Sequence, residues 1–296
     1  MSSIYYLARG GSALARWTPQ SARHALGFAL GAASYLAWPS KRLATQLNMA
    51  QVTGRSAHDP HVRRLASASW RNYGRYAADF INFSHLDISV IDRNLHDLTQ
   101  GAKHWMEHAE HALEPGRGII IATAHFGNWD VGGAIVARYL PISAVAETFS
   151  DGRLNRLLQD HRKEKGVGII PMEGSARRIM RVLQQNQAVA IVVDRPLKQH
   201  EGTAVTFFGR ITYVPGGPAA LALKSGAAIL PGYVWYGHRN QFYIHFFPPI
   251  FPKKSKVEEQ ASEIARLTQR IYDTLEEVVR EWPTQWYMFR QFWPSE

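Results

Sequence analysis

The 296-residue chain contains no cysteine. A disulfide scaffold, a cysteine metal site and a cysteine nucleophile are excluded together. The chain also lacks any run of the roughly 18 to 20 apolar residues that a membrane span requires. Its longest apolar stretch, ALGFALGAASYLAW at 25–38, carries glycines and a serine and ends at Pro39. That length suits a core helix or one lying in an interface. An early basic region with an A-x-A ending is missing, so no cleaved secretory signal is expected. GxSxG is absent, and so are a P-loop and a GxGxxG after a strand. The hydrolase elbow and the common phosphate cradles therefore fall away. Acidic residues are in deficit, with 24 Asp plus Glu against 34 Lys plus Arg and a net charge of +10. Such a balance favours anionic partners: nucleic acid, lipid headgroups or phosphorylated substrates.

What is present is globular composition, 46% hydrophobic and 20% charged. Nine tryptophans and twelve tyrosines are many for the length. Most serve ordinary cores, though both residue types also favour wet–apolar boundaries such as membrane surfaces. Residues 2–16 carry Arg9 and Arg16 among apolar residues and fit a short amphipathic helix. Thr18-Pro19 opens a second helical region to Trp38, and a basic stretch with Lys41 and Arg42 leads into LATQLNMAQV. Residues 62–83 have helical periodicity with an aromatic face of Trp70, Tyr73, Tyr76 and Phe80. Residues 1–100 are thus expected to be a helical, membrane-associating region. They lead into a core at 101–296 that forms one integrated domain.

From residue 118 the pattern changes. Strands are expected at 118–124, 142–147, 168–172, 188–194, 227–235 and 241–247. Helices are expected at 128–139, 151–165, 174–186 and 216–225, with a last one at about 257–281. This alternation implies an α/β fold with a mostly parallel sheet flanked by helices.

The stretch GIIIATAHFGNWDVGGAIV places His125 directly after the first strand. In an open α/β sheet, ligands gather at the carboxyl ends of strands. Asp130 falls in the first turn of the next helix, where folding back could bring its carboxylate to the imidazole. The carboxylate would fix the ring tautomer and stabilise the imidazolium. The free nitrogen could then take a proton from a substrate hydroxyl. The plain alternative is a helix-capping or buried histidine beside an aspartate favoured by the helix dipole. HWMEHAEH spaces His104, His108 and His111 as metal ligands could be, but an exposed amphipathic helix explains them better.

HFGNWD resembles the HX4D/E motif of the glycerolipid acyltransferase superfamily. VVDRPLKQHEGTAVTFFGRITYVPGGPAALALKSGAAILP at 192–231 and the ending WPTQWYMFRQFW resemble the lipid A biosynthesis acyltransferase family. Asp130, where the best-known lipid A enzymes have glutamate, resembles the mannoside branch and the wider superfamily, which leaves the acceptor open. The resemblance implies His125 as general base with Asp130 as its orienting partner. It also implies Glu147 and Arg162 as polar groups of the acceptor pocket. Asp194 and Arg195 end the central strand as further substrate-binding candidates, where the arginine could bind a phosphate or sugar. Asn128, Glu173 and Arg210 are further substrate-binding candidates. Glu173 and Arg177 belong to EGSAR, which imitates a lysophosphatidate-acyltransferase motif in a different order along the chain.

The function so implied is O-acyl transfer from an acyl thioester, on coenzyme A or acyl carrier protein, to a hydroxyl of a membrane glycolipid or lipid A-type precursor. No metal and no cofactor is needed, because a thioester is already activated. A lysophospholipid acceptor is the alternative within this class. The expected place is the cytoplasmic face of a bacterial inner membrane, held to its anionic surface. A non-catalytic lipid- or RNA-binding protein is the alternative from another class. Nucleic acid is not expected as a partner, since the strands are continuously apolar, as a buried parallel sheet requires, rather than studded with stacking aromatics.

Overall fold

The computed structural model describes residues 18–148, 150–237, 241–254 and 256–293. The amphipathic segment expected at 2–16 lies outside the described residues.

Three helices open the described chain: α1 (Gln20–Ala37), α2 (Pro39–Thr53) and α3 (Pro60–Ile81). Proline at the first position of α2 and α3 costs no hydrogen bond there. Asp59 caps α3 by accepting from the His61 N–H at 2.7 Å. α1 and α3 pack backbone to backbone through Gly27, Gly31 and Gly74. A Cβ on any of the three would strike the facing main chain. A short α4 (Ile88–Arg93) and β1 (His96–Asp97) then lead to α5 (Trp105–Leu113).

The core alternates strand and helix as the pattern from residue 118 requires. It contains β2 (Ile119–Thr123), α6 (Trp129–Val136), β3 (Ile142–Ala146), α7 (Gly152–Glu164), β4 (Val167–Pro171), α8 (Ser175–Gln184) and β5 (Ala188–Val192). A hairpin of β6 (Thr203–Phe207) and β7 (Arg210–Val214) intervenes. The chain continues with α9 (Gly217–Ser225), β8 (Ala228–Tyr236), β9 (Phe242–Phe246) and α10 (Gln260–Glu281). Seven strands form one sheet in the order β1-β9-β8-β2-β5-β3-β4. Every pairing is parallel except β8 with β9.

β2 is central and covered on both faces, which is why it reads Ile-Ile-Ile-Ala-Thr without alternation. Ile120 and Ala122 face a layer built with α8, α9 and α10. Ile119 and Ile121 face one built with α5 and α6, which Tyr76 of α3 joins.

The sequence reading has no β6–β7 hairpin. Its turn is Phe208-Gly209, with φ of 49° and 74°. Two successive left-handed residues match the twist of a two-residue hairpin. Phenylalanine is an unusual residue for the first of them. Its conformation is held by the Phe208 N–H donating to Glu276, by Gln51 donating to the Phe208 carbonyl at 2.8 Å, and by the Arg280 guanidinium over its ring. A turn chosen by contacts with α2 and α10 carries no Asn-Gly signature to read.

Candidate active site

His125 leaves the carboxyl end of β2 and lies at a cavity of about 750 Å³. The loop that carries it is pinned on several sides. Gly127 takes φ +61° and lies against the main chain of β8, where a side chain would collide with Val234 and Trp235. The Gly127 N–H donates to the Gln285 carbonyl and the Asn128 N–H to the Val234 carbonyl, both at 2.8 Å. Asn128 caps α6 by accepting from the Val131 N–H. Its amide donates to the Tyr236 hydroxyl, which donates to Asp79. Asn128 is therefore buried scaffold for the loop.

The carboxylate at His125 is Asp194, not Asp130. His125 Nδ1 lies 2.9 Å from Asp194 Oδ1, and the His125 main-chain N–H donates to both carboxylate oxygens at 3.0 and 3.1 Å. The Trp286 indole donates to Asp194 Oδ2 at 3.0 Å. Asp194 is fully buried in this arrangement, whereas the His125 side chain is 47% exposed. A carboxylate accepts only, so Nδ1 carries the hydrogen and Nε2 keeps its lone pair for the cavity. Burial opposes charge on the imidazole. The Asp194 charge and hydrogen bond, with Glu147, outweigh it, and the His125 pKa is raised although Arg290 pulls the other way. Burial likewise opposes ionisation of Asp194, but His125, its main-chain N–H and Trp286 hold its pKa below the usual range.

Asp130 is buried at the first turn of α6, as expected, but serves other partners. Arg162 Nε donates to Asp130 Oδ1 at 2.6 Å, and Arg162 Nη2 to Oδ2 at 3.4 Å. The Tyr76 hydroxyl donates to Oδ2 at 2.7 Å. Burial works against the Arg162 charge, yet Asp130 more than restores it, raising the pKa. This unit joins α3, α6 and α7 and lines the cavity. Trp129, between Asp130 and the loop that carries His125, meets the His125 ring edge-on at 5.3 Å and the Tyr76 ring at 4.1 Å. The reason for the exchange of partners is topological. β5 is hydrogen-bonded beside β2, so the residues just past both strands emerge side by side.

Glu147 and Arg195 also line the cavity, paired to each other at 2.9 Å and half exposed. Arg162 lines it as well. Glu173, Arg177 and Arg210 do not line it. Glu173 and Arg177 are exposed around the start of α8, and Arg210 begins β7. His104, His108 and His111 form no metal cluster; among the described residues there is none. His104 caps α5, and the His108 ring contacts the Gln100 carbonyl at 3.0 Å.

Four participants were not legible as such: Tyr76, Trp286, Lys41 and Arg290. Tyr76 was visible only as part of an aromatic helix face. Trp286 belongs to the tryptophan-rich ending, but nothing in one chain says that its indole reaches Asp194. The Tyr287 N–H donates to the His125 carbonyl at 2.8 Å, and the Ser69 hydroxyl to the Trp286 carbonyl at 2.7 Å. The C-terminal segment is thus a wall of the site.

Between these polar groups the cavity is lined by Ala144, Val145, Ala190, Ile142, Leu154 and Leu158, among other apolar side chains. A free imidazole nitrogen at such a cavity can take a proton from a hydroxyl. The chain belongs to the bacterial lipid A biosynthesis acyltransferase family, whose model matches residues 2–295. It is 27% identical over 254 residues to the phosphatidylinositol mannoside acyltransferase of Mycolicibacterium smegmatis, covering 84% of this chain and 78% of that one. Over 257 residues it is 29% identical to the enzyme of the same name from Mycobacterium tuberculosis, covering 84% and 76%. The family and these relatives support acyl transfer to a glycolipid.

Proposed function

We propose that the protein moves a fatty acyl group from a thioester of coenzyme A or acyl carrier protein to a hydroxyl of a membrane glycolipid, with His125 as general base and Asp194 as its partner. The observation that carries this reading is the His125–Asp194 hydrogen bond beside a cavity lined largely by apolar side chains. The acceptor O–H gives its proton to Nε2 while its oxygen attacks the thioester carbonyl. The C–S bond then breaks, and the departing sulfur takes the proton back from Nε2, leaving an ester and a free thiol. Asp194 stabilises the transient imidazolium and keeps Nδ1 protonated. Asp130 and Arg162 hold the cavity wall rather than the imidazole. A mannosylated phosphoinositide is the preferred acceptor class, by likeness to the two mycobacterial relatives, and a lipid A-type precursor is the second.

Membrane attachment is part of the same reading. α1 and α2 expose Leu26, Leu30, Leu36, Trp38, Leu43 and Leu47. Leu26 with Leu30 and Leu43 with Leu47 are pairs four residues apart, Trp38 joins the two helices, and Lys41 and Arg42 follow it. Among the described residues no helix is long and apolar enough to cross a membrane. An apolar face combined with a basic patch is the two-signal arrangement of interfacial anchoring, here on the cytoplasmic face of a bacterial inner membrane.

The test is thioester consumption and acylated-lipid formation by purified protein and by His125→Ala and Asp194→Asn, each checked by circular dichroism. General-base assistance contributes about 10²–10⁴-fold, so both variants are expected to lose on that order of rate. Retention of a tenth of the rate by His125→Ala excludes the proposed base.

A further inference from the structure

Charge pairing inside the cavity is incomplete, and the excess has one sign. Arg162 is matched by Asp130, Arg195 by Glu147 and His125 by Asp194. Among the described residues that line the cavity, two cations remain without a carboxylate partner: Lys41 and Arg290.

They come from different parts of the chain, α2 and the C-terminal segment, which Asn48 joins. Asn48 of α2 donates to the Met288 and Arg290 carbonyls at 2.9 and 2.7 Å and accepts from the Phe292 N–H at 2.9 Å. Lys41, Thr45 and Asn48 follow one another at helical spacing, so they share the face of α2 that meets the C-terminal segment. Thr45 is buried there, accepting from the Trp70 indole. Lys41 thus stands two turns along α2 from the residue that fixes Arg290. The same C-terminal segment bonds the His125 carbonyl through Tyr287.

Lys41 and Arg290 thus leave an excess of positive charge on a cavity whose other charged groups are paired. We propose that Lys41 and Arg290 bind a phosphate ester carried by one of the two substrates. The inference rests on the acyl-transfer reading above. A guanidinium offers a planar fork to phosphate oxygens and an ammonium a point charge, a pairing that suits phosphate better than a neutral sugar. Both substrates can carry the group: coenzyme A or the phosphopantetheine arm on the donor side, and the phosphodiester of a phosphoinositide on the acceptor side. Arg195, beside Asp194, is the adjacent cation and is already balanced by Glu147.

The experiment compares native protein with Lys41→Gln/Arg290→Gln through two ratios of kcat/KM. The donor ratio is palmitoyl-coenzyme A over the phosphate-free palmitoyl-N-acetylcysteamine thioester. The acceptor ratio is a mannosylated phosphoinositide over a mannosyl diacylglycerol. One ratio is expected to fall at least about tenfold, as loss of charge-assisted bonds requires, and which one falls names the substrate. Lys41→Arg/Arg290→Lys restores it. Neither ratio falling while native protein transfers acyl groups overturns the subsite and leaves the reaction standing. If native protein transfers nothing, the reaction fails, and calorimetric titration with inorganic pyrophosphate decides the subsite: binding lost in the variant supports it, and equal binding overturns it. Arg290 is exposed, so Arg290→Gln alone carries the same comparisons if the double variant melts early.

Discussion

In the proposed mechanism, His125 depends on what Asp194 does to its basicity. A raised imidazole pKa means the base is neutral only at higher pH, so the rate is expected to fall on the acid side with a midpoint above the ordinary histidine value. Asp194→Asn removes the charge that holds the proton on the ring. The His125 pKa then drops and the acid limb of kcat/KM moves to lower pH, even as the maximal rate falls. A pH–rate series on the native protein and the variant reads both effects. An unmoved acid limb shows that some other group sets it. Asp130→Asn is expected to leave the limb in place, since Asp130 bonds Arg162 and Tyr76 instead of the imidazole. The sequence displays His125 and Asp130 close together and Asp194 far along the chain. Proximity in sequence named the wrong carboxylate, because parallel strands bring distant strand ends together.

At the scale of elements, β3 and β5 supply small side chains to the lining of the cavity. Ala144 of β3 pairs in register with Ala190 of β5, and both line it. Small side chains at facing positions leave room that leucine would fill. Ala144→Leu is expected to shorten the preferred acyl chain by about two carbons, each buried methylene contributing about 0.8 kcal/mol. Competition between long and medium acyl thioesters measures this. A loss on the order of tenfold in the long-to-medium preference is the expected result, and an unchanged preference places the acyl chain elsewhere. The strands themselves were legible because buried parallel strands are continuous apolar runs with glycine or proline nearby. The β6–β7 hairpin was not, since its Phe208-Gly209 turn is imposed by Glu276, Gln51 and Arg280 rather than by local preference.

For the whole molecule, the net charge of +10 and the exposed leucines of α1 and α2 predict partition to anionic vesicles. Flotation with vesicles containing phosphatidylglycerol is expected to carry the protein, and high salt to release only part of it. Screening removes the electrostatic share and leaves apolar insertion. Complete recovery in the lipid-free fraction rules out attachment by this face. Two of the N-terminal helices, α2 and α3, also reach the site: Tyr76 touches Asp130, and Asn48 holds the C-terminal wall.

The sequence by itself determined the α/β alternation, the position of His125 at a strand exit and the absence of any cysteine chemistry, since these depend on local pattern and composition alone. It also carried the family, through HFGNWD and the blocks downstream. Only the tertiary structure decided which carboxylate meets the imidazole, that Trp286 donates to that carboxylate, and that Lys41 and Arg290 share one cavity. Those relations join residues tens to hundreds of positions apart. They are fixed by strand order and helix docking, which no spacing along a single chain expresses.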